Sequence, residues 1–415
     1  MRLGDVANAD ATPFGKPLAG VRVLAVEQMQ ALPYATQMLA RFGADVVKVE
    51  QPGSGESGRG STPAMVQPDG RSAGATFLRN NLDKRSLAVD IKHPEGKALL
   101  LALAPHFDVF AENFKSGAME RMGLGYPAVA AVAPRSIYLS VSGFGNLAPS
   151  PYAGWGAYAP IVEAMSGIYD YKTGPDEPPV TAPVGALGDI SSALFGVIGV
   201  LTALLHRNLT GEGQYVDVAM FDSMVAMTDL VTNFWSMGHH DGARGNRLIM
   251  HGFRASDGWF VLQVGREHQF ARLTEVIGTP EWLTDDRFAT RAGWVEHLDD
   301  VVRPAIERWA ADKTKLEAAA ALNDAGLVAG PSFAAPEVIA DPHVAARNML
   351  VEVPRTDGIP DPVLVPGNPV KLSRVAEGPE TAPPMVGEHT DAVLAEVLGL
   401  SDAEIAGLHD RGVVG

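Results

Sequence analysis

Val21-Arg22-Val23-Leu24-Ala25-Val26 opens a stretch that continues through a helical pattern, Tyr34 to Phe42, to Gly43 and then to Asp45-Val46-Val47-Lys48-Val49. Two short β-branched runs flanking one helix predict a βαβ unit, whose strands are parallel. Glu50 ends the second run as an acid does in dinucleotide-binding folds. The phosphate fingerprint is missing, because the turn after the first strand reads Glu27-Gln28-Met29-Gln30-Ala31-Leu32-Pro33 where G-x-G-x-x-G belongs. That argues against a nicotinamide or flavin cofactor. Gln30 lies in this turn, at the C-terminal edge of a parallel strand, where open α/β sheets place ligands. Its amide has two readings: a cap on the following helix, or a group facing a ligand.

The same alternation runs outward from this unit. A polar loop, Gln51 to Gly60, is placed to cover a site. Asn81 to Ser86 leads into a strand expected over Leu87 to Asp90, and His93-Pro94-Glu95-Gly96 opens an apolar helix through Leu103 with proline in its first turn. Val109 to Phe114 reads as a strand, Ser116 to Met122 as a short helix carrying Arg121, and Ile137 to Ser142 as a further strand. Tyr215 to Ala219 is another, followed by a helix through Trp235. Strands alternating with helices predict a large Rossmann-like α/β domain with a mostly parallel sheet. From about Gly238 the pattern becomes a hairpin, Phe253 to Val264 turning at Asp257-Gly258, and amphipathic helices such as Val301 to Ala310 and Lys315 to Ala325. The expected division is a large domain over 1–225, a smaller α+β domain over 226–334, and a Pro-punctuated tail over 335–415 that returns to the large domain. Ser401-Asp402-Ala403-Glu404 in that tail fits a capping box.

Gly185-Ala186-Leu187-Gly188-Asp189-Ile190-Ser191-Ser192 sets one carboxylate among small residues at the mouth of the apolar run Ala193 to Leu205, which reads as a buried helix. Asp189 is either a helix N-cap or a covalent nucleophile, and both roles are compatible. For a nucleophile, Gly188, Ser191 and Ser192 leave room for an electrophile, and a helix N-terminus favours the charged form.

At 415 residues and 46% hydrophobic content the chain is long enough for two domains with a packed core. The net charge of −16 argues against general attraction to nucleic acid or anionic lipid, so an anionic ligand needs a local basic cluster. There is no cysteine, which excludes disulfides and thiolate chemistry. Met1 to Lys16 has no apolar core of a signal peptide, and Ala193 to Leu205 is shorter than the ~20 residues of a membrane span. The expectation is a cytoplasmic protein without a membrane or nucleic-acid partner.

Several segments together carry a resemblance: Pro17 to Leu24, Gly43 to Glu50, Asn81 to Asp90, Glu112-Asn113-Phe114, Gly188-Asp189, Thr210 to Gln214 and Gly387-Glu388-His389-Thr390. In this order the chain resembles the class III CoA-transferase family, which includes formyl-CoA and carnitine CoA-transferases and 2-methylacyl-CoA racemases. The resemblance implies acyl-CoA and a small carboxylic acid as substrates, no metal, and an interlocked homodimer. It implies that Asp189 is the catalytic aspartate and Gln30 the glutamine that positions the thioester carbonyl. Asn113, Phe114, Arg121 and Met122 match positions lining the coenzyme A site, and Lys84 and Arg85 lie where the family contacts the nucleotide end. Two departures stand out. Gly245-Asn246-Arg247-Leu248-Ile249-Met250-His251-Gly252 has no counterpart of the glycine-rich loop of formyl-CoA transferase. Tyr158 and Ala159 fill the places of the racemase His-Asp pair, while Glu267 matches the racemase glutamate or is a surface acid.

Three readings of function follow. A CoA-transferase needs one carboxylate nucleophile and stabilisation of an oxyanion. A racemase needs an acid and a base on opposite faces of Cα, and a CoA-binding protein leaves Asp189 as a cap. The missing His ranks them in that order.

Overall fold

Alternate residues of the strands face opposite ways, and each face is apolar, so the sheet demands helices on both sides. Val23 and Ala25 of β1 (Arg22–Val26) enter one core with Val46, Ala111, Ile137 and Leu139, whereas Leu24 and Val26 enter a second core with Val47, Val49, Phe110 and Tyr138. The structure is a computed structural model describing residues 1–66, 70–169, 178, 181, 186–240 and 248–415. Gly185 and residues 245–247, noted above, lie outside the described residues.

The chain forms two units, 1–233 together with 343–415, and 234–342. In the first, α1 (Ala31–Arg41) and β2 (Asp45–Glu50) follow β1. A short antiparallel pair, β3 (Ala64–Val66) with β4 (Ser72–Gly74), leads into α2 (Ala75–Asn80) and β5 (Lys84–Ala88). Then come α3 (Pro94–Leu103), β6 (Val109–Glu112), α4 (Ala118–Met122), α5 (Tyr126–Val132), β7 (Ile137–Ser142), α6 (Ala159–Met165), α7 (Leu187–Thr210), β8 (Tyr215–Ala219) and α8 (Met220–Met227). The six-stranded sheet has the order β5-β2-β1-β6-β7-β8, and every pairing is parallel. Counted within the sheet this is 3-2-1-4-5-6, the doubly wound order whose direction of winding reverses between β1 and β6. A ligand crevice is therefore expected outside the C-terminal ends of those two strands.

Some boundaries differ from the sequence reading. β5 begins at Lys84 rather than Leu87, because the polar Lys84-Arg85-Ser86 pairs with Val46-Val47-Lys48 of β2. The helix after β8 ends at Met227 instead of continuing to Trp235. α7 has 24 residues, extends past both ends of the apolar run and is long and apolar enough to cross a bilayer by length and composition. One side of it packs against α1, β7 and β8. The other side is not buried in the chain: Leu187, Leu194, Ile198, Leu205 and Leu209 are exposed. Gly199 lets α7 come down on the sheet, since a Cβ there would stand 2.5 Å from Val216 Cγ1.

The second unit contains the antiparallel sheet β11-β10-β9, made of β9 (Ile249–Ala255), β10 (Gly258–Val264) and β11 (Val328–Pro331). Its helices are α9 (Glu267–Ile277), α10 (Arg291–Glu296), α11 (Arg303–Ala310), α12 (Lys315–Asp324) and α13 (Ala335–Ala340). This is the smaller α+β unit, with Phe253, Phe260, Phe270, Trp282 and Trp294 in its core.

The chain re-enters the first unit in α14 (Pro342–Ala346). The tail holds a hairpin that the proline spacing hid, β12 (Leu350–Val353) with β13 (Val363–Pro366), which buries Val351, Val353 and Val365 against Phe77, Leu78 and Leu82. α15 (Thr390–Leu398) and α16 (Asp402–Asp410), the latter with its capping box, complete the second face of the sheet with Val393, Leu394, Ile405 and Leu408. His389 accepts the Ser86 N–H and Thr390 accepts the Ala88 N–H, so the tail is bonded to β5.

Candidate active site

The turn after β1 is held from two sides. The Glu56 carboxylate accepts the Met29 N–H at 2.9 Å and the Gly58 N–H at 2.6 Å, and Met29 takes φ 61, a strained conformation for a residue with a side chain. Asn113, just past β6, exchanges two hydrogen bonds with the Gln28 backbone, at 2.9 and 2.8 Å, and so ties together the loops on either side of the winding reversal. Gln30 occupies the N-cap position of α1, but its amide makes no capping bond. The capping reading of Gln30 is thus replaced by a side chain without a partner among the described residues.

Asp189 is not a cap either. The N-cap of α7 is Ala186, and Asp189 is the third helical residue, with no hydrogen bond to its carboxylate among the described residues. The acceptor at this helix end is Glu163 of α6, buried, which accepts the Gly188 N–H at 3.0 Å and the Tyr169 hydroxyl. Gly188 permits that approach, because a Cβ there would stand 2.7 Å from Val162 Cγ2. The hydroxyls of Ser191 and Ser192 turn back to the Gly188 carbonyl, leaving the carboxylate of Asp189 clear of them.

The helix N-terminus was expected to favour ionised Asp189, but burial is the larger effect. Burial, then the nearby Glu163, push Asp189 up to about 6, while Arg79 opposes them. At pH 7, above that value, the ionised and therefore nucleophilic form predominates. Arg79, on α2, lies over the Tyr34 ring at 5.4 Å, and among the described residues its buried Nη1 has no hydrogen-bond partner.

The basic residues assigned to the nucleotide end of coenzyme A divide sharply. Lys84 is fully enclosed, and its three ammonium hydrogens are spoken for by Glu27 Oε1 at 2.7 Å, the Pro33 carbonyl at 2.9 Å and Asn81 Oδ1 at 2.9 Å. Burial draws Lys84 down to about 8 even with Glu27 beside it. Burial acts to raise Glu27, but Lys84 and Lys48 outweigh it and hold Glu27 low. Lys84 is thus a structural ion-pair partner with no donor left for a phosphate, which corrects the sequence reading. Arg85 is likewise engaged, by Asp45 through Nε at 3.0 Å and Nη2 at 2.5 Å and by Glu396 at 2.8 Å. Asp45 begins β2, so this pairing sits at the edge of the sheet opposite to Gln30 and Asn113.

Arg121, in contrast, is exposed, follows the C-terminal end of β6 and has no ion pair among the described residues. Phe114 and Met122 are half-buried against the second core, and the Phe114 N–H is held by Glu112 at 2.8 Å. Burial pushes Glu112 up to about 7. Glu56, Glu163 and Arg79 were missed by sequence reasoning, because none has a motif: each acquires its place only from tertiary packing. Among the described residues no group of three or more His, Asp or Glu side chains is disposed to hold a metal.

Nothing favours the racemase reading. Tyr158 is exposed at the start of α6 and Ala159 is buried and has no titratable group. Glu267, in the other unit, is an exposed acid paired with Arg291 at 2.8 and 2.9 Å, which holds it down at about 2 and makes it a weak base.

Residues 18–390 match the model of CoA-transferase family III, and the chain belongs to that family of enzymes. It is 32% identical to the β subunit of succinyl-CoA–L-malate CoA-transferase of Chloroflexus aurantiacus, over 98% of this chain and 100% of that one. It is 33% identical to formyl-CoA:oxalate CoA-transferase of Rhodopseudomonas palustris, over 96% and 97%. The crystal structure of a CaiB/BaiF family protein from Brucella suis superposes with a TM-score of 0.79 at 32% identity, covering 92% of this chain and all of that one.

Proposed function

We propose that the protein moves coenzyme A from an acyl-CoA to a small carboxylic acid by covalent catalysis at Asp189. The observation that carries this reading is an ionisable carboxylate without hydrogen bonds among the described residues, at the mouth of α7, in a chain of this family. Asp189 attacks the thioester carbonyl, expels the CoA thiolate and forms a mixed anhydride. The thiolate attacks the aspartyl carbonyl, which releases the donor acid and leaves an aspartyl-CoA thioester. The acceptor carboxylate then reverses both steps. Gln30, whose amide has no partner among the described residues, donates to the oxyanion. Asn113 keeps the Gln30 turn beside Phe114 and Met122, which line the pantetheine path. With acceptor acid labelled by 18O in its carboxylate, one labelled oxygen should pass to Asp189 in a single turnover. Product CoA ester without label on Asp189 would exclude the anhydride route, and solvent deuterium appearing at Cα of a 2-methylacyl-CoA would point to proton abstraction instead.

Arg121 is the nucleotide-end cation in this account, after Lys84 and Arg85 are removed. Arg121→Ala should raise KM for acyl-CoA roughly 10-fold with little change in kcat, as expected for one charged contact. The effect should vanish with dephospho-CoA substrates; an equal defect with both would move the 3′-phosphate elsewhere.

The apolar stripe on α7 supports a homodimer, interlocked as the resemblance implies. Leu194, Ile198 and Leu205 are 40%, 57% and 67% exposed, a patch that single chains in water rarely leave uncovered. Light scattering should give twice the chain mass, and a monomer would contradict the assignment. The proposed setting is the cytoplasm.

A further inference from the structure

Resting on the transferase reading, we propose that Arg79 binds a second carboxylate on the acid substrate, and that the substrates are therefore dicarboxylic acids. α1 packs against both α2 and α7. Tyr34 lies in the first turn of α1, Arg79 reaches over it from α2, and the Arg79 carbonyl accepts the Gln37 amide at 3.0 Å, which fixes α2 to α1. Among the described residues no carboxylate closes an ion pair with this guanidinium, and its Nη1 is buried without a hydrogen bond.

A buried, unpartnered guanidinium nitrogen costs free energy, so its persistence calls for a ligand that supplies the missing acceptor. Tyr34 beneath this guanidinium belongs to α1, and α1 packs on α7, the helix that carries Asp189, so an anion held in the Asp189 site is the ligand within its reach; the charges of Arg79 and Asp189 act on each other without a salt bridge. Coenzyme A phosphates do not meet that requirement: they lie at the far end of the pantetheine arm from the thioester that reaches Asp189. The reacting carboxylate is poorly suited too, because pairing with Arg79 would withdraw the electrons it needs to attack the aspartyl carbonyl. A carboxylate at the other end of a short acid satisfies both conditions, and the planar guanidinium receives it through paired N–H donors.

The test compares CoA transfer to a dicarboxylic acid and to the monocarboxylic acid of the same chain length, with wild type, Arg79→Met and Arg79→Lys. Met keeps the apolar stem over Tyr34, and far-UV circular dichroism and thermal unfolding check the fold. Wild type should prefer the dicarboxylic acid. Arg79→Met should lose roughly 10- to 100-fold in kcat/KM for it, mainly in KM, with the monocarboxylic acid changed less than about 3-fold, and Arg79→Lys should restore part of the loss. Equal losses on both acids, or a wild type without preference, overturn the inference while the transferase reading stands. Should Arg79→Met fail to fold, the wild-type preference and Arg79→Lys decide it. No transfer to any acid by wild type removes the transferase reading and this inference with it.

Discussion

Replacing Asp189 by Ala or Asn should reduce CoA transfer by on the order of 10⁴-fold or more, the scale on which removal of a covalent nucleophile acts. Affinity for acyl-CoA should stay within a few-fold, because the carboxylate makes no binding contact in this account. The wild-type rate should fall as pH drops through about 6, where burial places the Asp189 titration and the nucleophile becomes protonated. Stability should move the opposite way. Asp in an unfolded chain titrates near 3.9, so the folded state holds the proton more tightly and loses stability as pH rises from about 4 to about 6. Above that range the whole penalty is present, and Asp189→Asn should unfold at a higher temperature than wild type at pH 7. The difference should fade below pH 4. An Asp189→Asn variant less stable than wild type at pH 7 would mean that some ligand or partner group, rather than burial, dominates the carboxylate.

The next largest effect is expected at Lys84, and it concerns folding rather than substrate. Lys84→Met leaves Glu27 buried with Lys48 at 3.5 Å as its remaining cation. Breaking a buried pair from one side costs roughly 3–5 kcal/mol, and the second lysine should bring the loss toward the lower figure. Urea unfolding measures it directly. KM in the folded fraction should equal that of wild type for acyl-CoA and for the dephospho-CoA substrate alike. A stable Lys84→Met protein with a raised KM would return Lys84 to the ligand.

Most of the large unit was legible in the sequence because its strands are nearly all apolar, which only burial on both faces explains. The βαβ start, β6, β7 and β8 stand where the β-branched runs place them. The hairpin β12–β13 was hidden, since Pro360, Pro362 and Pro366 around it signal loop while edge pairing tolerates them. In the site, Asp189 and Gln30 could be singled out by position and resemblance. The fate of Lys84 could not, because its carboxylate partner Glu27 is 57 residues away and belongs to another strand's end. Arg79 was equally silent: no motif marks it in Leu78-Arg79-Asn80, and only the packing of α2 on Tyr34 buries part of its guanidinium.

Covalent chemistry at Asp189 is the centre of this account, and mass spectrometry of the protein after incubation with a donor acyl-CoA and hydroxylamine tests it most directly. An aspartyl anhydride or thioester is an activated acyl group, so hydroxylamine should convert Asp189, and no other carboxylate, to the hydroxamate, and the modification should stop turnover. An unmodified Asp189 in enzyme that is still converting donor to product under the same conditions would contradict the account.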